Sequence, residues 1–180
     1  MPGRPMNEFR AHAFWDWSCD VYDGPGMQET LLDLQDRMGL DVNLLLFACW
    51  TASKGYGYLS EAQWTRLIEE SAGWRANVIG PLRAVRRYLK ESKDSGGANA
   101  LRDKLKTLEL EAEHAAQLAI AGLVRNRSGI AVPVAAQVAD ARANLQSYYL
   151  AATGGEPSGD DMALFGSLAQ TCCGARQVKR

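Results

Sequence analysis

The sequence predicts an all-α protein: a helical bundle of about five helices, followed by a long C-terminal helical hairpin. Three observations predict it. No stretch alternates apolar and polar residues between hairpin turns, so strand signals are nearly absent. Helix start and stop residues recur along the chain. Apolar residues return at four-three spacing over long segments, which places them on one helical face.

The elements follow in order. A first helix is expected from about Arg10 to Tyr22, carrying Phe14, Trp15, Trp17 and Val21, and stopped by Asp23-Gly24-Pro25-Gly26. A second, from about Met27 to Met38, is apolar at Leu31, Leu32, Leu34 and Met38 and ends at Gly39. Asp41 is a good N-cap for a third helix, Val42 to about Lys54. That helix is apolar almost all round, which suits the centre of a bundle. Ser60 and Gln63 match a capping box for a fourth helix, which Gly73 is expected to interrupt. A fifth runs from about Trp74 to Ser92, striped by Val78, Leu82, Val85 and Leu89, with Pro81 placed to kink it or split off its first turn.

Ser92 to Ala98 reads as a flexible loop and as the best candidate for a boundary. Beyond it, a long helix from about Asn99 to Arg127 keeps Leu101, Leu105, Leu108, Ala112, Ala115, Ala119 and Gly122 on a heptad-like seam. A further helix from Pro133 to about Ala152 repeats the spacing at Val134, Val138, Ala141, Leu145 and Tyr148. Two such helices joined by a short break predict an antiparallel hairpin. The expected organisation is a bundle core over residues 1–92, a hairpin over 93–152 packed on it or extending from it, and a short helix with a tail over 153–180.

Composition narrows the function classes. Hydrophobic residues make up 47% of 180, enough for a sizeable core. The net charge of −1 predicts neither a nucleic-acid binder nor a membrane-surface binder from whole-protein electrostatics. The longest apolar run, Leu44 to Trp50, is too short to cross a bilayer, and Met1 to Arg10 has no apolar signal region. The expected location is the cytoplasm. Of the four cysteines, Cys49 reads as core, and Cys19, Cys172 and Cys173 read as free thiols, the last two near a loose tail. No metal, cofactor or catalytic residue is expected. Phosphate-loop, nucleophile-elbow and His-Glu-x-x-His patterns are absent. Glu111 and His114 have the spacing of a di-iron motif, but the chain has no second copy of it.

One block supplies a resemblance. Phe14-Trp15, Val21-Tyr22, Pro25-Gly26, the run Gly39-Leu40-Asp41-Val42-Asn43-Leu44-Leu45-Leu46-Phe47, Trp50, Trp74-Arg75, Pro81-Leu82-Arg83 and Arg86-Arg87 together resemble a family of small proteobacterial proteins known only as a domain of unknown function. The resemblance covers roughly Phe14 to Leu118. It implies a cytoplasmic helical protein and carries over no activity, ligand or site residue. From about Ile130 the chain reads as an extension outside that pattern.

Three constellations could carry function. Arg83, Arg86, Arg87 and Lys90, at i, i+3, i+4 and i+7, form a basic stripe that flanks the apolar stripe of its helix. Residues 74–94 carry +4, against −6 for residues 1–73. The plain reading is pairing with acidic residues of the N-terminal half: Asp16, Asp20, Asp33, Asp36 and Asp41. The functional reading is a surface for a polyanion, nucleic acid included. Asp41 with Asn43, at the head of the third helix, reads plainly as a cap, and more sharply as an anion pocket that Asp41's own carboxylate opposes. The third is the set of five tryptophans. Trp15 and Trp17 point about 200° apart on one helix, so one of them is open to serve as an exposed anchor.

The leading functional expectation is a non-enzymatic adaptor or regulatory module. It binds another protein, or a second copy of itself, through helical surfaces at Trp15, Trp17, Ala112, Ala115 and Ala119. Polyanion binding through the basic stripe is the alternative, and an enzyme of unknown type is third. No membrane partner is expected.

Overall fold

Helix Val42–Ser53 is the element around which the others are arranged. In the computed structural model, which describes residues 13–91, 96–124 and 129–174, the helices are α1 (Ala13–Tyr22), α2 (Met27–Met38), α3 (Val42–Ser53), α4 (Glu61–Trp74), α5 (Gly80–Glu91), α6 (Gly96–Gly122), α7 (Val134–Thr153) and α8 (Gly159–Ala169). No strand occurs among the described residues, and the fold is all-α.

Local chemistry explains most boundaries. The Asp41 carboxylate accepts from the Asn43 N–H at 2.8 Å and caps α3. Ser60 and Gln63 form the capping box that starts α4. A second capping box, Ser158 with Asp161, starts α8. Gly73 does not interrupt α4. The helical run continues through a π-helical turn at Arg75–Ile79 into α5. There the Gly80 N–H bonds to the Arg75 carbonyl, and a side chain at Gly80 would press on that same oxygen, 2.6 Å away. This widening of the helix sits directly before Pro81, whose missing N–H and bulky ring a regular ladder tolerates poorly.

The core forms around α3. Leu44, Leu45, Phe47, Ala48, Cys49 and Ala52 are fully or almost fully buried. Each fully buried leucine contributes about 1.5–3 kcal/mol. Phe14 of α1 packs its ring edge-on to Phe47 at 5.2 Å, and Trp64 of α4 lies 5.2 Å from Tyr148 of α7. The most extensive helix–helix contact joins α3 to α7. Asn144 ties that contact together: its side-chain oxygen accepts from the Leu59 N–H at 2.9 Å. Its amide nitrogen donates toward Gly57 O at 3.1 Å, Thr51 Oγ1 at 3.3 Å and Ala48 O at 3.4 Å. A fully buried amide satisfied in this way fixes both register and depth. Close by, Ile130 N–H bonds to Gly55 O, and the backbones at 54–55 and 129–130 approach so closely that neither Gly55 nor Gly129 has room for a Cβ.

Two expectations need correction. The long helices α6 and α7 do not form a hairpin with each other. Instead α6 pairs with α5, and α7 packs on α3, α4 and α8. Four-three spacing marks a buried face but does not name the helix that covers it. Cys172 and Cys173, read as free thiols near a loose tail, are free but not loosely placed: a π-helical turn, Gln170–Gly174, buries both against the core. Cys173 Sγ approaches Cys49 O at 3.8 Å. A hydrogen bond with Cys172, and then burial, hold the Cys49 thiol well above its ordinary range. The expected starts at Arg10 and around Ser92, and the tail beyond Gly174, lie wholly or partly outside the described residues.

Candidate functional site

The basic stripe of α5 meets α6. Arg86 Nε donates to Glu109 Oε1 at 2.6 Å, and Arg83 bonds Glu113 through its terminal nitrogen. Glu109, with its hydrogen bond foremost, pushes the Arg86 guanidinium above its usual range. Two of the four stripe cations are thus engaged. Their partners are on α6, not in the acidic N-terminal half, where among the described residues Arg75 Nε pairs with Asp41 at 3.4 Å. Arg87 and Lys90 are exposed and make no ion pair among the described residues. The i, i+4 pair Glu109 and Glu113 on the long helix is the signal that would have revealed these partners.

Pairing residue 83 with 113 and 86 with 109 makes α5 and α6 antiparallel. Between them lies a small core of Ile79, Ala112 and Ala116, with Trp74 and Leu82 against it. At 100° per residue, Arg83 and Val85 lie about 160° apart, and Glu113 and Leu108 about 140° apart. The ion pairs therefore hold one flank of the hairpin, and the other flank carries apolar residues. On that flank Leu101, Leu108, Ala115 and Ala119 fall within about 40° of one another. Val85 is 47% exposed, Leu101 48% and Leu108 47%. Ala115 and Ala119 are half-buried beside them, and Ala112 is buried.

The tryptophans divide differently from expectation. Trp17 is buried in the core at 7% exposure, which withdraws it from the role of exposed anchor. Trp15 is half-buried, with its ring stacked 4.4 Å from that of His114. Trp50 and Trp64 are core, and Trp74 donates to Glu70 at 3.1 Å.

Asp41 does more than cap. Its backbone N–H donates to Tyr148 Oη at 2.7 Å, its carboxylate accepts from Ser71 Oγ and faces Arg75, and Asn43 accepts from Gln117 Nε2 at 2.8 Å. This node joins the head of α3 and the π turn to α4, α6 and α7. Burial pushes the Tyr148 phenol far above its ordinary value. Ser71, Gln117 and Tyr148 carry no sequence signal for this role, being 30 to 107 residues from their partners.

Beside the node opens a cleft of about 980 Å³, walled by α1, α2, the head of α3, the π turn, α5 and α6. No group of three or more His, Cys, Asp or Glu able to hold a metal occurs among the described residues. No described helix is long and apolar enough to cross a membrane.

Fold and surfaces together define an all-helical protein with an apolar core around α3, an amphipathic hairpin and a large cleft beside the Asp41 node. The family model described as a protein of unknown function (DUF2390) matches residues 13–120, and the chain belongs to that family. No curated protein and no solved structure matches it. The match ends before α7, although α7 supplies the most extensive packing on the central helix.

Proposed function

We propose that the protein is a non-enzymatic interaction module whose α5–α6 hairpin docks a helix of another protein. One observation supports this above the rest: the hairpin flank opposite the ion pairs leaves Val85 of α5 and Leu101 and Leu108 of α6 about half exposed. Grouped apolar side chains of this kind on a folded surface mark interaction sites. Ala115 and Ala119, with small side chains on the same flank, leave room for a partner backbone to come close. The partner is thus an amphipathic helix with anchors at i, i+3, i+4 and i+7. Its residence in the cytoplasm belongs to the same proposal.

Affinity purification of the full chain from its native cell, beside a Val85→Asp/Leu108→Asp variant, tests it. The wild-type chain is expected to retain a partner that the variant loses, while both melt at similar temperatures. Equal retention by the two proteins contradicts the proposal.

A second reading has its own observation, the exposed Arg87 and Lys90, which make no ion pair among the described residues. Polyanion binding there predicts an affinity that falls steeply with salt and is lost in Arg87→Glu/Lys90→Glu. No binding of single- or double-stranded nucleic acid at low salt removes it.

A further inference from the structure

We propose that the cleft beside Asp41 is a binding site for a small organic cation, an amine or guanidine carried on an apolar or aromatic body. Its volume, about 980 Å³, lies in the range of ligand pockets.

Charge decides the sign of the ligand. Four carboxylates and two arginines line the cleft. Asp41 and Glu113 face Arg75 and Arg83, so those four charges offset one another. Asp23 of the α1–α2 turn and Asp36 of α2 have no ion pair among the described residues. Among the described residues, the wall formed by α1 and α2 therefore carries negative charge that no ion pair offsets. The Cys19 thiol on the same wall feels it: desolvation first, then Asp23, Asp16 and Asp20, push it above its ordinary value. An anion finds little here, because Asp41's own carboxylate already occupies the head of α3.

Hydrogen bonding points the same way. Ser18 and Gln117 line the cleft, each 3% exposed, and Ser18 Oγ and Gln117 Oε1 have no hydrogen-bond partner among the described residues. An amide oxygen only accepts, so a ligand that satisfies Gln117 must bring a donor, as an ammonium or guanidinium does. Trp15 and Tyr22 add aromatic faces, which attract cations. Leu40, Leu46 and Ile79 offer an apolar floor for the ligand's body.

Isothermal titration of the full chain with tryptamine, agmatine and spermidine tests the site, with indole-3-propionate as the anionic counterpart of tryptamine. At least one amine is expected to saturate the protein and to bind about tenfold or more tighter than the anion. Asp23→Asn/Asp36→Asn is expected to weaken that amine about tenfold, and Gln117→Met to weaken it as well. Glu29→Gln/Glu61→Gln, which removes the same charge away from the cleft, is expected to bind like the wild type. Thermal melts verify that each variant folds. The proposal is overturned if none of the three amines binds, if the carboxylate binds as tightly as tryptamine, or if both double variants weaken binding equally.

Discussion

Two helix pairs in this protein are built on opposite principles. Where α3 meets α7 the contact is mostly apolar and deeply buried, and its buried amide, Asn144, is satisfied by neighbouring groups. Where α5 meets α6 the contact is a thin core of Ile79, Ala112 and Ala116, with ion pairs on one flank and half-exposed apolar residues on the other. The difference separates holding the fold from presenting a surface. The largely exposed Arg83–Glu113 pair adds only ~0–1 kcal/mol, and Arg86–Glu109 is partly buried, with Glu109 desolvated against the thin core. The hairpin's outer flank stays apolar and open.

Several substitutions break or sharpen this contrast. Leu45→Ala in α3 is expected to lower stability by about 2–5 kcal/mol in urea unfolding, since it empties a fully buried position. Asn144→Ala leaves the Leu59 N–H and the Gly57 carbonyl without their side-chain partner, while Thr51 and the Ala48 carbonyl keep each other, for a loss of about 3 kcal/mol. Next comes Gly55→Ala, with a loss above about 1 kcal/mol, because φ is +68° there and a Cβ would strike the Ile130 carbonyl.

Alkaline pH probes the same pair. The Tyr148 pKa is raised in the fold, so the folded state keeps its proton while the unfolded chain begins to lose it above pH ~10. Stability from this group is complete below that pH and falls as pH rises past it. Urea midpoints are expected to drop between pH ~9 and ~11, and Tyr148→Phe to shrink the drop. In the hairpin, Arg83→Gln is expected to change stability by ~0–1 kcal/mol, less still at high salt, because its side chain is half exposed.

What the sequence disclosed was local. The caps at Asp41 and Ser60, the stop after Met38 and the all-round apolar α3 each depend on residues within one turn, and each is found in the structure. What it hid was partnership. Leu101 and Leu108 share a stripe with Ala112, yet the buried line of α6 runs through Leu105, Glu109, Ala112, Ala116 and Ile120, with a carboxylate where a leucine was expected. Only the arrival of Arg86 makes that line intelligible. The burial of Cys172 and Cys173 was hidden because nothing near them announces that α8 and the turn after it dock on the core. The basic stripe was visible as charge, but its partners lie 23 and 30 residues away. The cleft combines residues from six elements, and Ser18 and Gln117, whose side-chain oxygens have no partner among the described residues, belong to no pattern of their own.

Native-state hydrogen exchange on the full chain tests the division of labour most directly. Amides of α3 and α7 are expected to exchange only through global unfolding, although α7 lies beyond the family match, and those of α5 and α6 through a smaller opening of lower free energy. Exchange from α7 as fast as from the hairpin, or equal protection across all four helices, would contradict the account.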